Sequence, residues 1–158
     1  MGEKLQGLND DFRDIVILFA DQGVEFVIVG AYALAFHGAP RASGDIDLFI
    51  RPSEENAARV FDALLQFGAP LASHGVEQTD FCQPGTVYQI GLPPRRIDIL
   101  TEISGLGFDE AWQSRVEVEV EQRSIHIIGR EEFLKNKAAS GRPKDLADLV
   151  RLKKKPAE

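Results

Sequence analysis

The run Asp45-Ile46-Asp47-Leu48-Phe49-Ile50 constrains this chain more than any other. Apolar residues at alternate positions, Ile46, Leu48 and Ile50, predict a strand with one buried face, so Asp45 and Asp47 share the other. Two carboxylates about 4 Å apart repel by roughly 4 kcal/mol at an effective dielectric near 20. A fold keeps such a pair when a cation or a cluster of donors offsets the repulsion, and the cation is the stronger reading. Ahead of this run, residues 24–29 are apolar but for Glu25 and rich in β-branched side chains, the pattern of a buried strand. Gly30 ends that strand, and 31–37 reads as a short helix closed by Gly38 and Pro40.

A third carboxylate comes from further along. In the strand predicted over 96–101, Ile97 and Ile99 flank Asp98, which therefore points away from the apolar side. Asp45, Asp47 and Asp98 are all oxygen donors, suited to Mg²⁺ or Mn²⁺ and not to a soft metal. Two such ions about 3.5–4 Å apart clamp an in-line displacement at phosphorus. Gly30 and Ala31, at the start of a helix, offer backbone N–H groups to phosphate oxygens, with no side chain on Gly30 to intervene. Lys137 is the candidate lysine for this site; its alternative is to snorkel from a helix face. Arg41 either braces its loop or binds phosphate, and His37 is expected to cap a carbonyl at the end of its helix.

The other elements follow from period and punctuation. Helices are expected over 8–22 (Asn9 or Asp10 as cap), 53–67 (Ser53 as cap), 108–113, 129–140 and 143–152, the last begun by Pro143. Further strands are expected over 86–90, 116–122 and 124–128, with Glu117, Glu119 and Glu121 on a solvent face. Residues 69–84 lack a period and are expected to wander over the surface. Asp145 and Asp148 sit early in the last helix, where its dipole favours acids. The order of elements predicts an α+β fold: one domain over 1–158, with a mixed sheet and flanking helices in a core of 8–128 and a C-terminal helical pair over 129–153.

Charge is unevenly placed. Residues 1–129 hold 9 Lys and Arg against 20 Asp and Glu, whereas residues 130–158 hold 9 against 5, giving the net −7. A general basic surface for nucleic acid is thereby excluded from the main body, while the basic end is left to meet an anion or simply to be solvated. No apolar run approaches the ~20 residues of a membrane span, and Cys82, the single cysteine, excludes an internal disulfide or a cysteine zinc cluster. With no basic-then-apolar leader at Met1, a cytoplasmic protein with no membrane partner is expected.

Gly30-Ala31, Asp45-Ile46-Asp47-Leu48 and the later Asp98 together resemble the signature of the DNA polymerase beta-type nucleotidyltransferase superfamily. Gly30, Ala33, His37, Gly38, Arg41 and Ser43 ahead of the acids are similar to the bacterial AbiEii-type, toxin-like members. So are Lys135, Lys137 and the run Gly141-Arg142-Pro143-Lys144-Asp145-Leu146-Ala147-Asp148-Leu149. The resemblance implies the minimal nucleotidyltransferase fold and metal-dependent transfer of a nucleoside monophosphate from a nucleoside triphosphate to a hydroxyl acceptor. That acceptor would be a tRNA or other RNA end, or a protein, and an antitoxin would be a partner. It also implies roles: Asp45, Asp47 and Asp98 as metal ligands and catalytic acids, with Gly30, Ala31, Arg41, Ser43 and Lys137 on the nucleotide. Ala31 departs from the Gly or Ser of the pattern and loses a hydroxyl contact. A non-catalytic nucleotide-binding or partner-binding module on the same fold is the alternative.

Overall fold

The computed structural model describes residues 3–5, 7–39 and 44–154. Along the chain it has β1 (Glu3–Lys4), α1 (Asp10–Asp21), β2 (Phe26–Val29), α2 (Ala31–Phe36), β3 (Ile46–Ile50) and α3 (Glu54–Phe67). It continues with β4 (Val87–Ile90), β5 (Ile97–Leu100), α4 (Phe108–Gln113), β6 (Val116–Val120), β7 (Arg123–Ile127), α5 (Arg130–Ser140) and α6 (Pro143–Lys153). The described strands form one seven-stranded mixed sheet in the order β1-β6-β7-β2-β3-β5-β4. Parallel pairs (β1 with β6, β7 with β2, β3 with β5) alternate with antiparallel ones (β6 with β7, β2 with β3, β5 with β4).

Register decides which side chains share a face. Phe26 stands opposite Ile50 and meets Phe19 of α1 edge-on at 5.2 Å, so Ile46, Leu48 and Ile50 face the α1 side. Phe49 meets Phe108 of α4 at 5.2 Å on the other side, and Asp47, two residues before it, shares that face. Both faces are covered, which is why β2 and β3 read as nearly unbroken apolar runs. Asn9 caps α1, its Oδ1 accepting from Phe12 N–H at 2.9 Å, and Ser53 caps α3, its Oγ accepting from Asn56 N–H at 3.2 Å.

Two expectations fail here. The stretch 69–84 is not a wandering loop: it turns into a short 3₁₀ helix, Gln78–Cys82, and buries Leu71 and Phe81. Its apolar residues pack without a helical or strand period, so no period betrays them. The strand expected over 116–122 stops at Val120, because Glu121 (φ 46°) and Gln122 (φ 70°) form a two-residue hairpin turn, both in the left-handed region and with no glycine to advertise it. β1, only two residues long, carried no sequence pattern. Among the described residues no helix is long and apolar enough to cross a membrane.

Asn56 is the buried polar pin of this frame. At 1% exposure its Oδ1 accepts from Glu25 N–H (2.7 Å), and its Nδ2 donates to the carbonyls of Glu25 (3.0 Å) and Arg51 (2.9 Å). It thereby ties the approach to β2 to the end of β3. Asn56→Ala takes the acceptor from the Glu25 N–H, while the two carbonyls keep the N–H groups of Arg51 and Ser53, at roughly 1–3 kcal/mol for a buried unsatisfied group. A fall in urea midpoint with an unchanged m-value is the expected reading; a midpoint like that of the wild type would show the pin to be dispensable.

Candidate active site

The acids meet at one end of β3 and β5. These strands are parallel, and Asp47 stands directly opposite Asp98 in register, so the two carboxylates lie side by side on the α4 face. Asp45 comes one residue before β3, not within it. It is held there through Arg96, whose backbone N–H donates to Asp45 Oδ1 at 3.0 Å. Gly44 sits so close to the loop ahead of β5 that a Cβ would lie 1.7 Å from the Pro94 carbonyl oxygen. Only glycine permits that approach.

Gly30 forms the opposite wall. Its φ of +72° suits glycine, and a Cβ there would be 2.2 Å from Asp47 Oδ2. The bare backbone bend is thus pressed against the carboxylate. A cleft of about 150 Å³ opens between this bend and the helical pair: Gly30, Ala31, Asp45, Asp47, Arg96 and Asp98 line it from the sheet, and Lys137, Arg142, Lys144 and Asp145 from α5, α6 and the elbow between them. A larger, shallower cleft of about 640 Å³ lies by the β6–β7 turn, but its Arg13 and Arg123 are already paired with Asp10, Glu121 and Asp21.

Electrostatics single out Asp47. Burial, then the Asp98 charge and a hydrogen bond to Asp98, push its carboxyl from 3.8 up to about 6; Lys137 and Lys144 pull the other way. Asp98, 8% exposed, takes a fork from Arg96: Nε donates to Oδ1 at 2.7 Å and Nη2 to Oδ2 at 3.1 Å. Nη2 also stands 3.5 Å from Asp45 Oδ2. The all-oxygen donor set and the crowded Asp47–Asp98 pair fit a hard divalent cation. As placed, however, no group of three His, Cys, Asp or Glu side chains among the described residues is arranged to hold an ion.

Lys137 lines the cleft yet does not snorkel. It is 7% exposed, donates to Asp145 Oδ1 at 3.0 Å and stands 3.8 Å from Asp148 Oδ2. Asp145 also accepts from Ser140 Oγ and from Arg142 Nε (2.6 Å). Burial alone would raise the Asp145 carboxyl, but these three donors outweigh it and bring it down to about 2. Asp145 and Asp148 are therefore the fixed partners of the site lysine, a stronger reason for their presence than the helix dipole. His37 is the C-cap of α2, its backbone N–H donating to the Ala33 carbonyl at 3.0 Å, and its ring Nε2 lies 2.8 Å from the Ile128 carbonyl, tying α2 to the end of β7. Arg41 and Ser43 lie outside the described residues.

The sequence from residue 9 to 158 matches the family model described as nucleotidyl transferase of unknown function (DUF2204). The chain belongs to this family. Solved nucleotidyltransferases share its fold. One is a Thermotoga maritima protein (TM1012) assigned as a nucleotidyltransferase, at a TM-score of 0.56 and 17% identity over 90% of this chain and 91% of that one. Another is the lincosamide antibiotic adenylyltransferase LnuA in its lincomycin-bound form, at 0.58 and 15% over 94% and 98%. An antigenic nucleotidyltransferase-like protein from Paracoccidioides brasiliensis follows at 0.50 and 17% over 96% and 78%. No curated protein matches the sequence. At these identities the structural neighbours speak for the fold, and the expected mixed α+β nucleotidyltransferase architecture with its C-terminal helical pair is the one found.

Proposed function

We propose that this member of the family transfers a nucleoside monophosphate from a nucleoside triphosphate to an acceptor hydroxyl, releasing pyrophosphate. One observation carries the reading: Asp47 and Asp98 are paired in register on adjacent parallel strands, with the Gly30 bend against Asp47. The N–H groups of Gly30 and Ala31 bind phosphate oxygens, and Lys137, Arg142 and Lys144 supply positive charge on the facing wall. Asp45, Asp47 and Asp98 are the residues that would hold Mg²⁺ or Mn²⁺. Bound there, such ions supply charge neutralisation of the phosphates and a lowered pKa for the attacking hydroxyl. Asp98 would accept the hydroxyl proton as the acceptor comes in line. Arg41 and Ser43 are assigned to the nucleotide by motif alone.

For the acceptor we favour an RNA end, tRNA included, or a protein side chain, as in a toxin controlled by an antitoxin. This finer reading rests on the ordered motif from Gly30 to Leu149. The test is incubation of the protein with each α-labelled triphosphate, Mg²⁺ and either total RNA or lysate protein. Label carried into a macromolecule with pyrophosphate release is the expected result. A second reading, a module that binds nucleotide without transferring it, is favoured by the Arg96 fork on Asp98. It predicts saturable triphosphate binding with no transferred label under the same conditions.

A further inference from the structure

Arg96 does something unusual for a residue among proposed metal ligands: it engages two of the three acids with separate parts of itself. Its side chain forks both oxygens of Asp98 at 2.7 and 3.1 Å, its backbone N–H takes Asp45 Oδ1 at 3.0 Å, and Nη2 lies 3.5 Å from Asp45 Oδ2. Position explains how. Arg96 precedes β5 by one residue and Asp98 by two, so the two side chains share a face, and the guanidinium needs only to fold back along its own strand. On its other flank, its carbonyl accepts from Ile46 N–H at 3.0 Å, fixing the residue next to Asp45. Asp47 alone of the three has no hydrogen bond from Arg96, and it faces Asp98 from the neighbouring strand.

A guanidinium is always charged and its fork matches a carboxylate, so it is a stable counter-cation here. A divalent ion shared by Asp47 and Asp98 needs the same Asp98 oxygens and meets a fixed positive charge beside them. The triphosphate changes that balance, since its oxygens ligate the ion and its negative charge gives the guanidinium another partner. We propose that Arg96 is a resident counter-cation that competes with the divalent ion for Asp98 and Asp45, so that the ion is held tightly only when the triphosphate arrives. This rests on the nucleotidyl transfer reading for the identity of the ligand and acts through Asp98 and Asp45; Arg96 is accordingly a positioning residue.

The test is Mn²⁺ titration at pH 8, followed by the electron paramagnetic resonance of free Mn²⁺, with and without a non-hydrolysable triphosphate. Wild type, Arg96→Gln, Arg96→Lys and Asp47→Asn are compared, each checked for folding by circular dichroism. Without nucleotide, Arg96→Gln is expected to bind Mn²⁺ at least tenfold more tightly than wild type, and Arg96→Lys, which keeps the charge but loses the fork, to fall between. The triphosphate should tighten Mn²⁺ binding far more in wild type than in Arg96→Gln. A merely structural role for Arg96 predicts weaker or unchanged binding in the variant. That result, with wild-type Mn²⁺ binding still abolished by Asp47→Asn, overturns the competition and leaves the active-site reading standing. Absence of Mn²⁺ binding by wild type and every variant, nucleotide present or not, overturns both.

Discussion

Asp47→Asn is expected to make the protein more stable at pH 8 and, at the same time, to remove nucleotidyl transfer. The carboxyl of Asp47 is raised from 3.8 to about 6, first by burial and then by Asp98. A group whose native pKa is raised holds its proton more tightly in the folded chain. As pH rises from about 4 to 6 the unfolded chain ionises first, so stability falls through this window and the full penalty is present above it. The distance from 3.8 to about 6 corresponds to roughly 3 kcal/mol. Asparagine carries no charge at any pH and escapes the penalty while keeping nearly the same shape. Urea denaturation without divalent ions should therefore show the variant ahead of wild type at pH 8 and level with it near pH 4. Transfer should fall on the order of 10²–10³-fold, the scale seen when a preorganised electrostatic group is lost. Added Mn²⁺ with triphosphate should stabilise wild type and leave the variant unmoved. A variant less stable than wild type at pH 8 would mean that Asp47 is anchored by its charge, not strained by it. Stability surrendered at one carboxylate is what an active site shows when function sets its electrostatics.

What could be read from the residues, and what could not, divides along physical lines. β2, β3 and β5 were legible because burial on both faces leaves runs such as Phe26–Val29 with nothing polar, and because Asp47 and Asp98 interrupt such runs conspicuously. Caps at Asn9 and Ser53 were legible because capping is local, set by a side chain and an N–H three residues on. The partners of the acids divide. Arg96, two residues ahead of Asp98 on one strand, is a partner that a local reading of the sequence offers, whereas its reach to Asp45 exists only once β5 lies parallel to β3 in a particular register, a fact no local pattern carries. Asp145 and Asp148 look like any acids early in a helix; their true partner, Lys137, comes from the preceding helix, across the Gly141 elbow. The hairpin at Glu121-Gln122 lacks the Asn-Gly signal because the flanking strands hold the turn without it. Arg41 and Ser43 fall outside the described residues and keep the standing that motif gives them.

The second large effect belongs to that hidden network. Asp145→Ala should cost roughly 3–5 kcal/mol, the range found when one partner of a buried ion pair is removed and the other stays charged. Asp145 is 0% exposed and takes hydrogen bonds from Lys137, Ser140 and Arg142, while Lys137 is itself 7% exposed, so its ammonium cannot turn to water without parting α5 from α6. The pH dependence separates this cause from lost packing. The donors hold the Asp145 carboxyl at about 2 against an ordinary 3.8, so its ionic contribution is complete above about 4 and vanishes as pH falls through about 2. The gap between wild type and variant should accordingly narrow on acidification, whereas a gap due to a cavity would not. Asp145→Leu and Asp148→Asn combined with Lys137→Met replace the buried charges by neutral side chains, and should recover much of the lost stability without restoring transfer. Recovery of the fold with activity still absent would mark Lys137 as a residue kept buried for its charge toward the cleft. Recovery of both would reduce the pair to a clasp between two helices.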